Sequence, residues 1–395
     1  MIAAVDGHGF AETTVGELVA LAGVSKSTFY DHFESKQECF LATFTTIVTA
    51  ASREVTLAYR GQSGVEASLT AAFRRFAEIV ANETPAATLV VVGSLSLGSE
   101  GLDQREMAFV PFERMIHQGF ALEPPGRRPS DLAVRVLVAG VWTLVYRCIR
   151  KGEPERLIEY LDPMLEWALS YREAEPPAPP QERRQMPRLE PVQEPLPWGE
   201  PADSAKSRRL LSQCERIIRA TAQLASRAGY SSVTVPAISA TAGTSNQTFY
   251  EHFKKKEEAF IAAFEALAGR AIAAAFRAAE AELCWQEAIE TAYRALLEHL
   301  IRDPIFTRIA FYELPVAGPV ALDHADAAMR RFTLFLHPEA IPPGVQPLHP
   351  AIVEALGGGL WSALQRKITT GDLASLPEFA PALAKVTLIP IRPLP

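Results

Sequence analysis

Residues 9–44 read GFAETTVGELVALAGVSKSTFYDHFESKQECFLATF, and residues 229–264 read GYSSVTVPAISATAGTSNQTFYEHFKKKEEAFIAAF. The two align without a gap at a constant offset of 220 residues. About half the positions are identical, including Thr14/Thr234, Gly23/Gly243, Ser25/Ser245, Phe29/Phe249, Tyr30/Tyr250, His32/His252 and Lys36/Lys256. A period this long lies outside the range of solenoid repeats, so it marks duplication of a whole domain.

Each copy reads as two short helices around a glycine turn, followed by a long helix. Thr14 and Glu17 form a T-x-x-E capping box that opens a helix through about Leu21. In the second copy Thr234 caps, and Pro236 sits in the first turn, where a missing N–H costs little. Gly23 and Gly243 stand where the first short helix ends and the chain needs left-handed dihedrals. Ser25 and Ser245 then cap the second short helix. A tight turn between two short helices is the helix-turn-helix geometry, whose second helix enters the major groove of DNA, although one copy alone would also fit a structural αα corner. That helix opens with short polar residues, Lys26, Ser27 and Thr28 in one copy and Asn246, Gln247 and Thr248 in the other, all able to reach base edges or phosphates. Phe29 and Phe33, like Phe249 and Phe253, are four apart and share an inward face. Tyr30/Tyr250 and His32/His252 keep polar ends at the surface, and Lys36 and Lys254–Lys256 add positive charge at the start of the next helix.

Residues 173–202, EAEPPAPPQERRQMPRLEPVQEPLPWGEPA, are dense in proline and read as a semi-rigid linker, with Leu196 and Trp198 able to anchor it as a packed arm instead. This divides the chain into a head at 1–48, a body at 49–172, the linker, a second head at 203–268 and a second body at 269–395. Among 395 residues, 48% are hydrophobic and the net charge is −7, so a nucleic-acid surface would have to be a local patch on an acidic molecule. Cys39, Cys148, Cys214 and Cys284 form no C-x-x-C pair, which points to neither a zinc site nor a disulfide frame. The start of the chain lacks a signal-peptide pattern, and the apolar runs at 89–97 and 136–146 fall short of the ~18 residues a membrane span needs. A cytoplasmic protein is expected. No H-E-x-x-H, G-x-S-x-G or phosphate-binding glycine loop is present, so neither an enzyme nor a cofactor, metal or catalytic site is expected.

The strings TTVGELVALAGVSKSTFYDHFESKQECF and VTVPAISATAGTSNQTFYEHFKKKEEAF resemble the DNA-binding head of the TetR family of regulators over some 45–60 residues per half. The resemblance implies an all-α fold: a helix-turn-helix head on a helical body that binds a small-molecule effector and pairs through its last two helices. It also implies regulation of transcription, commonly repression, at a double-stranded DNA operator. Carried over by position, the DNA contacts are Thr14, Lys26, Ser27, Thr28, Tyr30, His32 and Lys36, then Thr234, Asn246, Gln247, Thr248, Tyr250, His252 and Lys256. One departure stands out. The second copy has a full amphipathic first helix, about 207–227, with Arg208, Arg209, Arg216 and Arg219 available to phosphates. The first has only a turn or two before Gly9, so either the true start lies upstream or head one lacks part of its support and is marginally stable.

Apolar periodicity predicts body helices at 65–82, 86–98, 111–121, 130–151 and 154–171, then at 285–302, 304–312, 320–336, 350–370 and 376–388. Each half thus ends in two long helices. Gly357–Gly359 inside one of them suits either a closely approaching helix or a kink. Two bodies on one tether favour an intramolecular pseudodimer over a homodimer. Unlike recognition helices then predict two unlike half-sites, because Asn246 and Gln247 can pair with adenine and Lys26 with guanine or phosphate. Candidate linings for an apolar effector are Phe73, Phe76, Met115, Trp142 and Tyr146 in one half, and Tyr293, Phe306, Phe311, Tyr312, Phe332 and Trp361 in the other, though aromatics at helical spacing also serve as plain core. The rival reading is a helical ligand-sensing or interaction protein with one or both heads no longer binding DNA.

Overall fold

Apolar residues three and four apart make a helix with one greasy face, which is stable only when buried against another. The computed structural model, describing residues 1–121, 123–172, 213–282, 284–371 and 373–393, is built almost wholly from such helices. Strand is confined, among the described residues, to the dipeptides Val345–Gln346 and Arg392–Pro393. The linker expectation over 173–202, with Leu196 and Trp198, lies outside the described residues, as do Arg208 and Arg209.

The first half runs α1 (Ile2–Glu12), α2 (Val15–Ala22), α3 (Lys26–His32), α4 (Lys36–Arg60), α5 (Val65–Asn82), α6 (Thr84–Val91), α7 (Ser99–Phe120), α8 (Asp131–Lys151), α9 (Arg156–Glu159) and α10 (Leu161–Ser170). The second runs α11 (Gln213–Ala228), α12 (Val235–Ala242), α13 (Asn246–His252), α14 (Lys256–Ala279), α15 (Trp285–Arg302), α16 (Pro304–Arg308), α17 (Pro319–Phe332), α18 (Pro350–Thr370) and α19 (Ala380–Leu388). The offset of 220 residues seen in the heads continues into the bodies: α5 and α15 are each 18 residues long and begin at Val65 and Trp285. The starts of α6 and α16 (Thr84, Pro304) and of α7 and α17 (Ser99, Pro319) keep the same offset, although these helices differ in length.

Several expectations are corrected. The helix expected to start at Pro111 starts at Ser99, with the proline inside it. The last helix of each half is short. The 154–171 segment breaks at Tyr160 into α9 and α10, and 376–388 is a 3-10 turn (Leu373–Phe379) followed by α19. After α16 the chain forms a π turn at Ile309–Glu313, closed by the buried amide of Gln365, which donates to the Phe311 carbonyl at 2.9 Å. Two helical stretches, Pro125–Lys151 and Lys256–Ala279, are long and apolar enough to cross a membrane, contrary to the count of unbroken apolar runs. Small uncharged residues extend the apolar window in both, and 67% of each window is buried within the protein. In head one, α1 (Ile2–Glu12) is broken at Gly9, whose φ of 82° and ψ of 163° are not helical, so about two turns precede the break, as expected; Ala4, Val5 and Phe10 are buried. Ala4 joins Leu18, Val19 and Phe29 in the head's core.

The chain makes two compact units, one of Met1–Pro177, Leu348–Ala363 and Val386–Arg392, the other of Ala178–Pro347, Leu364–Lys385 and Pro393–Pro395. Within the first, residues of α18 lie against α8. A Cβ at Gly358 would stand 2.1 Å from Thr143 Oγ1, and one at Gly359 would stand 2.3 Å from the Val136 carbonyl oxygen. Reciprocally, a Cβ at Gly140 would meet the Ala355 carbonyl at 2.6 Å. The glycines serve close approach of two helix backbones; the kink alternative falls away, because α18 is continuous. Arg147, itself buried, pairs with Glu354 across the same contact.

Candidate nucleic-acid interface

Both heads build the same turn by the same local rules. Thr14 Oγ1 accepts from the Glu17 amide at 3.2 Å, and Thr234 Oγ1 accepts from the Ala237 amide at 3.4 Å. The Glu17 carboxylate pairs with His8 Nε2 at 3.0 Å, tying α2 to α1 in place of the reciprocal half of a capping box. Gly23 and Gly243 end the first short helix at φ of 67° and 64°, in the left-handed region that Cβ-bearing residues avoid. Ser25 and Ser245 each accept from the amide three residues on, at 3.0 Å, opening α3 and α13. The same serine hydroxyls also bond the Thr28 and Thr248 hydroxyls, at 2.9 and 3.0 Å.

Phe29 and Phe249 are buried beneath these helices, with Phe33 and Phe253 at centroid distances of 5.5 and 5.8 Å. Each fully buried ring contributes roughly 1.5–3 kcal/mol and fixes which face of the helix looks outward. That outer face carries exposed Lys26, Ser27 and Thr28 in head one, and exposed Asn246 and Gln247 with half-buried Thr248 in head two. Tyr30 and Tyr250 remain 57% and 58% exposed although both are aromatic, and His32 and His252 are exposed beside them. Thr14 and Thr234 lie exposed at the start of α2 and α12.

Two lysines on the expected contact list are occupied inside the heads. Lys36 Nζ donates to the carbonyls of Phe10, Ala11 and Thr13 at 2.9, 3.2 and 2.8 Å, and sits 4.5 Å over the Phe10 ring. Lys256 repeats this on Tyr230, Ser231 and Val233 at 3.1, 3.3 and 2.9 Å, over the Tyr230 ring. An ammonium has three donors, and three carbonyls use all of them. Burial holds the Lys256 amine below its usual range and pushes the Tyr230 phenol up to about 12. Arg216 is likewise occupied: its guanidinium donates to the Ala242 and Gly243 carbonyls at 3.1 and 3.3 Å, bracing the second turn from α11. Arg219 is half-buried and has a partner of its own. Sequence reasoning took these cations for phosphate ligands. The available signal was that Lys36 and Lys256 are identical between copies while their neighbours differ, as a shared fold also demands.

The bodies divide the expected effector residues. Phe73, Phe76, Met115 and Trp142 line a cavity of about 420 Å³ among α4 to α8, whereas Tyr146 is not in its wall. In the other half Tyr293 and Phe332 are buried against each other with centroids 5.4 Å apart. Phe306 and Phe311 are buried core, and Tyr312 donates to the Ile368 carbonyl at 3.3 Å. Trp361 lies half-buried on α18.

The heads define a class of protein before any comparison: a helical chain that presents two helix-turn-helix motifs. The model of the family described as "Bacterial regulatory proteins, tetR family" matches residues 6–43 and 217–263, one segment in each head. Each head of the chain thus carries a segment that matches the tetR family of bacterial regulatory proteins. No curated protein matches it. Among solved structures, the fatty acid degradation regulator FadR from Bacillus halodurans is 16% identical, covering 45% of this chain and 95% of that one at a TM-score of 0.35. A transcriptional regulator from Aquifex aeolicus VF5 is 23% identical, with 43% and 95% covered and a TM-score of 0.32. A tetR family regulator from Shewanella sp. PV-4 is 15% identical, with 45% and 98% covered and a TM-score of 0.34.

Proposed function

We propose that this chain is a cytoplasmic repressor whose two heads, at 1–48 and 203–268, read two unlike half-sites of one operator, and which responds to an apolar small-molecule effector held within its helical body region, at 49–172 and 269–395. The observation that carries this reading is the pair of recognition helices. They share one backbone geometry and one exposed face, yet offer Lys26-Ser27 in one head and Asn246-Gln247 in the other. A carboxamide matches adenine bidentately, and an ammonium favours guanine or phosphate, so the two faces select different bases. Thr14, Thr28, Tyr30 and His32, with Thr234, Thr248, Tyr250 and His252, would supply phosphate contacts that set register. Lys36 and Lys256 act instead as internal braces, contributing to DNA binding by holding the heads in shape.

Pairing of the halves within one chain is favoured by the glycine-mediated approach of α8 to residues of α18 and by the Arg147–Glu354 pair. A linker of ~30 residues, 173–202, keeps the partner at high effective concentration. The test is selection from random duplex DNA with the full chain, followed by sequencing. The expected result is two different half-sites about one helical turn apart. A perfect palindrome would assign reading to one head in a homodimer. Failure to enrich any sequence at moderate salt would make the chain a sensor without operator binding.

A further inference from the structure

The duplicated register makes the two bodies comparable position by position. On α4 and α14, Ile47 corresponds to Leu267 and Ala51 to Ala271; on α5 and α15, Phe73 corresponds to Tyr293 and Ile79 to His299. In the first body Ile47, Ala51, Phe73 and Ile79 all face the cavity of about 420 Å³. In the second body the matched Tyr293 ring packs against Phe332 at an interplanar angle of 58°, and lies 6.1 Å from Phe335. Phe335 in turn meets Phe276 at 6.3 Å, and its carbonyl accepts from Trp285 Nε1 at 3.2 Å, so a buried aromatic cluster occupies the space next to the matched wall.

The cavity's chemistry is one-sided. Among the described residues its wall contains neither lysine nor arginine, and the two carboxylates at its margin are Glu54, paired with Arg75, and exposed Glu83. An acidic ligand would find no countercharge, while an uncharged apolar one would be desolvated on nearly all sides. Ile2, on the first helix of head one, is part of the wall, so an occupant touches that head directly.

We propose that the chain carries one effector site for two heads: the first body binds an uncharged, predominantly apolar small molecule, and the second is a plugged copy that binds none. This rests on the reading of the chain as an effector-responsive regulator. Occupancy would act on head one through Ile2, leaving head two as a constant anchor on the operator.

The experiment is titration of the full chain with the uncharged probe N-phenyl-naphthylamine, followed by calorimetry and by energy transfer from Trp142. One probe per 43.2 kDa chain is expected. Val141→Phe, filling the cavity, should weaken binding at least tenfold. Ala87→Phe serves the same purpose on another helix, and melting curves show that each variant is folded. Phe332→Ala, unplugging the second body, should raise the stoichiometry toward two. Two probes bound by the wild-type chain, no saturable binding, or unchanged affinity in both filled variants would overturn the proposal. Duplex binding is measured without probe in the same preparation. If it fails while one probe still binds, the regulator reading is lost and the single site stands.

Discussion

Head two and head one meet their bodies through different chemistry. In the second half the Glu313 carboxylate, only 5% exposed and held in the π turn, accepts from the Tyr230 amide of the head at 2.8 Å and from Arg308 Nε at 2.9 Å. In the first half the buried part of the junction is apolar, with Phe40 and Val5 closing on Gly93, where an added Cβ would lie 3.2–3.4 Å from them; an exposed hydrogen bond from Gln37 to Glu100 lies at its edge. A buried carboxylate with directional donors tolerates little displacement, because moving the head strips a charge of its partners. Apolar surfaces have no preferred direction and can slide at small cost. Duplication has kept the heads alike and let one junction become a clamp and the other a bearing.

The comparison breaks most visibly at Glu313. Glu313→Ala would leave the Tyr230 amide and Arg308 without their acceptor and should cost about 3 kcal/mol, read by denaturant unfolding of the full chain. Gly93→Ala at the apolar junction should cost less than half as much, since a ring edge can shift; equal losses would mean that the two junctions do not differ in kind.

The lysine braces sharpen the likeness of the heads. Lys256→Met and Lys36→Met should each destabilise their own head by about 2 kcal/mol, leaving three carbonyls short of a donor. Protease cutting at the variant head, under conditions where the wild type resists, is the measurement. If either variant weakens duplex binding while its head stays protected, that lysine touches phosphate after all. At the contact of α8 with α18, Gly359→Ala should cost about 2 kcal/mol, because its Cβ would meet backbone at 2.3 Å. Gly358→Ala should cost less, as the group it meets is the Thr143 side chain.

The smallest effect separates the bodies by pH. Burial holds His299 below its usual 6.5, while the matched Ile79 cannot titrate. The unfolded chain therefore takes up a proton near pH 6.5 that the folded chain refuses. The stability from the neutral form is fully present above that value and is lost as pH falls toward the folded pKa. His299→Gln should flatten this acid slope by less than about 1 kcal/mol, in melts between pH 5 and 7. An unchanged slope would place the sensitivity elsewhere.

Much of this molecule was legible in one dimension because local rules govern it. The helix-turn-helix follows from Thr14, Gly23, Ser25 and their counterparts, whose caps and left-handed turns depend on residues within four positions of each other. α5, α15 and α18 matched their predicted bounds because apolar periodicity is strong and flanking glycine, proline or cysteine loops interrupt it cleanly. Reading failed where a distant group sets the outcome. Pro111 marks a helix start only if nothing before it continues the helix, and residues from Ser99 do so. The π turn at Ile309–Glu313 has a carbonyl met by Gln365, more than fifty positions away in sequence.

The residues alone thus determined the two heads, the exposed faces of α3 and α13 and the duplication, since each rests on short-range hydrogen bonds and a repeated string. Only the tertiary structure decided that Lys36, Lys256 and Arg216 are spent on carbonyls, that three glycines serve a close helix approach, and that one body holds a cavity where the other packs aromatic rings. A cation's partner and a side chain's neighbours are set by which helices are folded against each other, and that information lies between segments far apart in the chain.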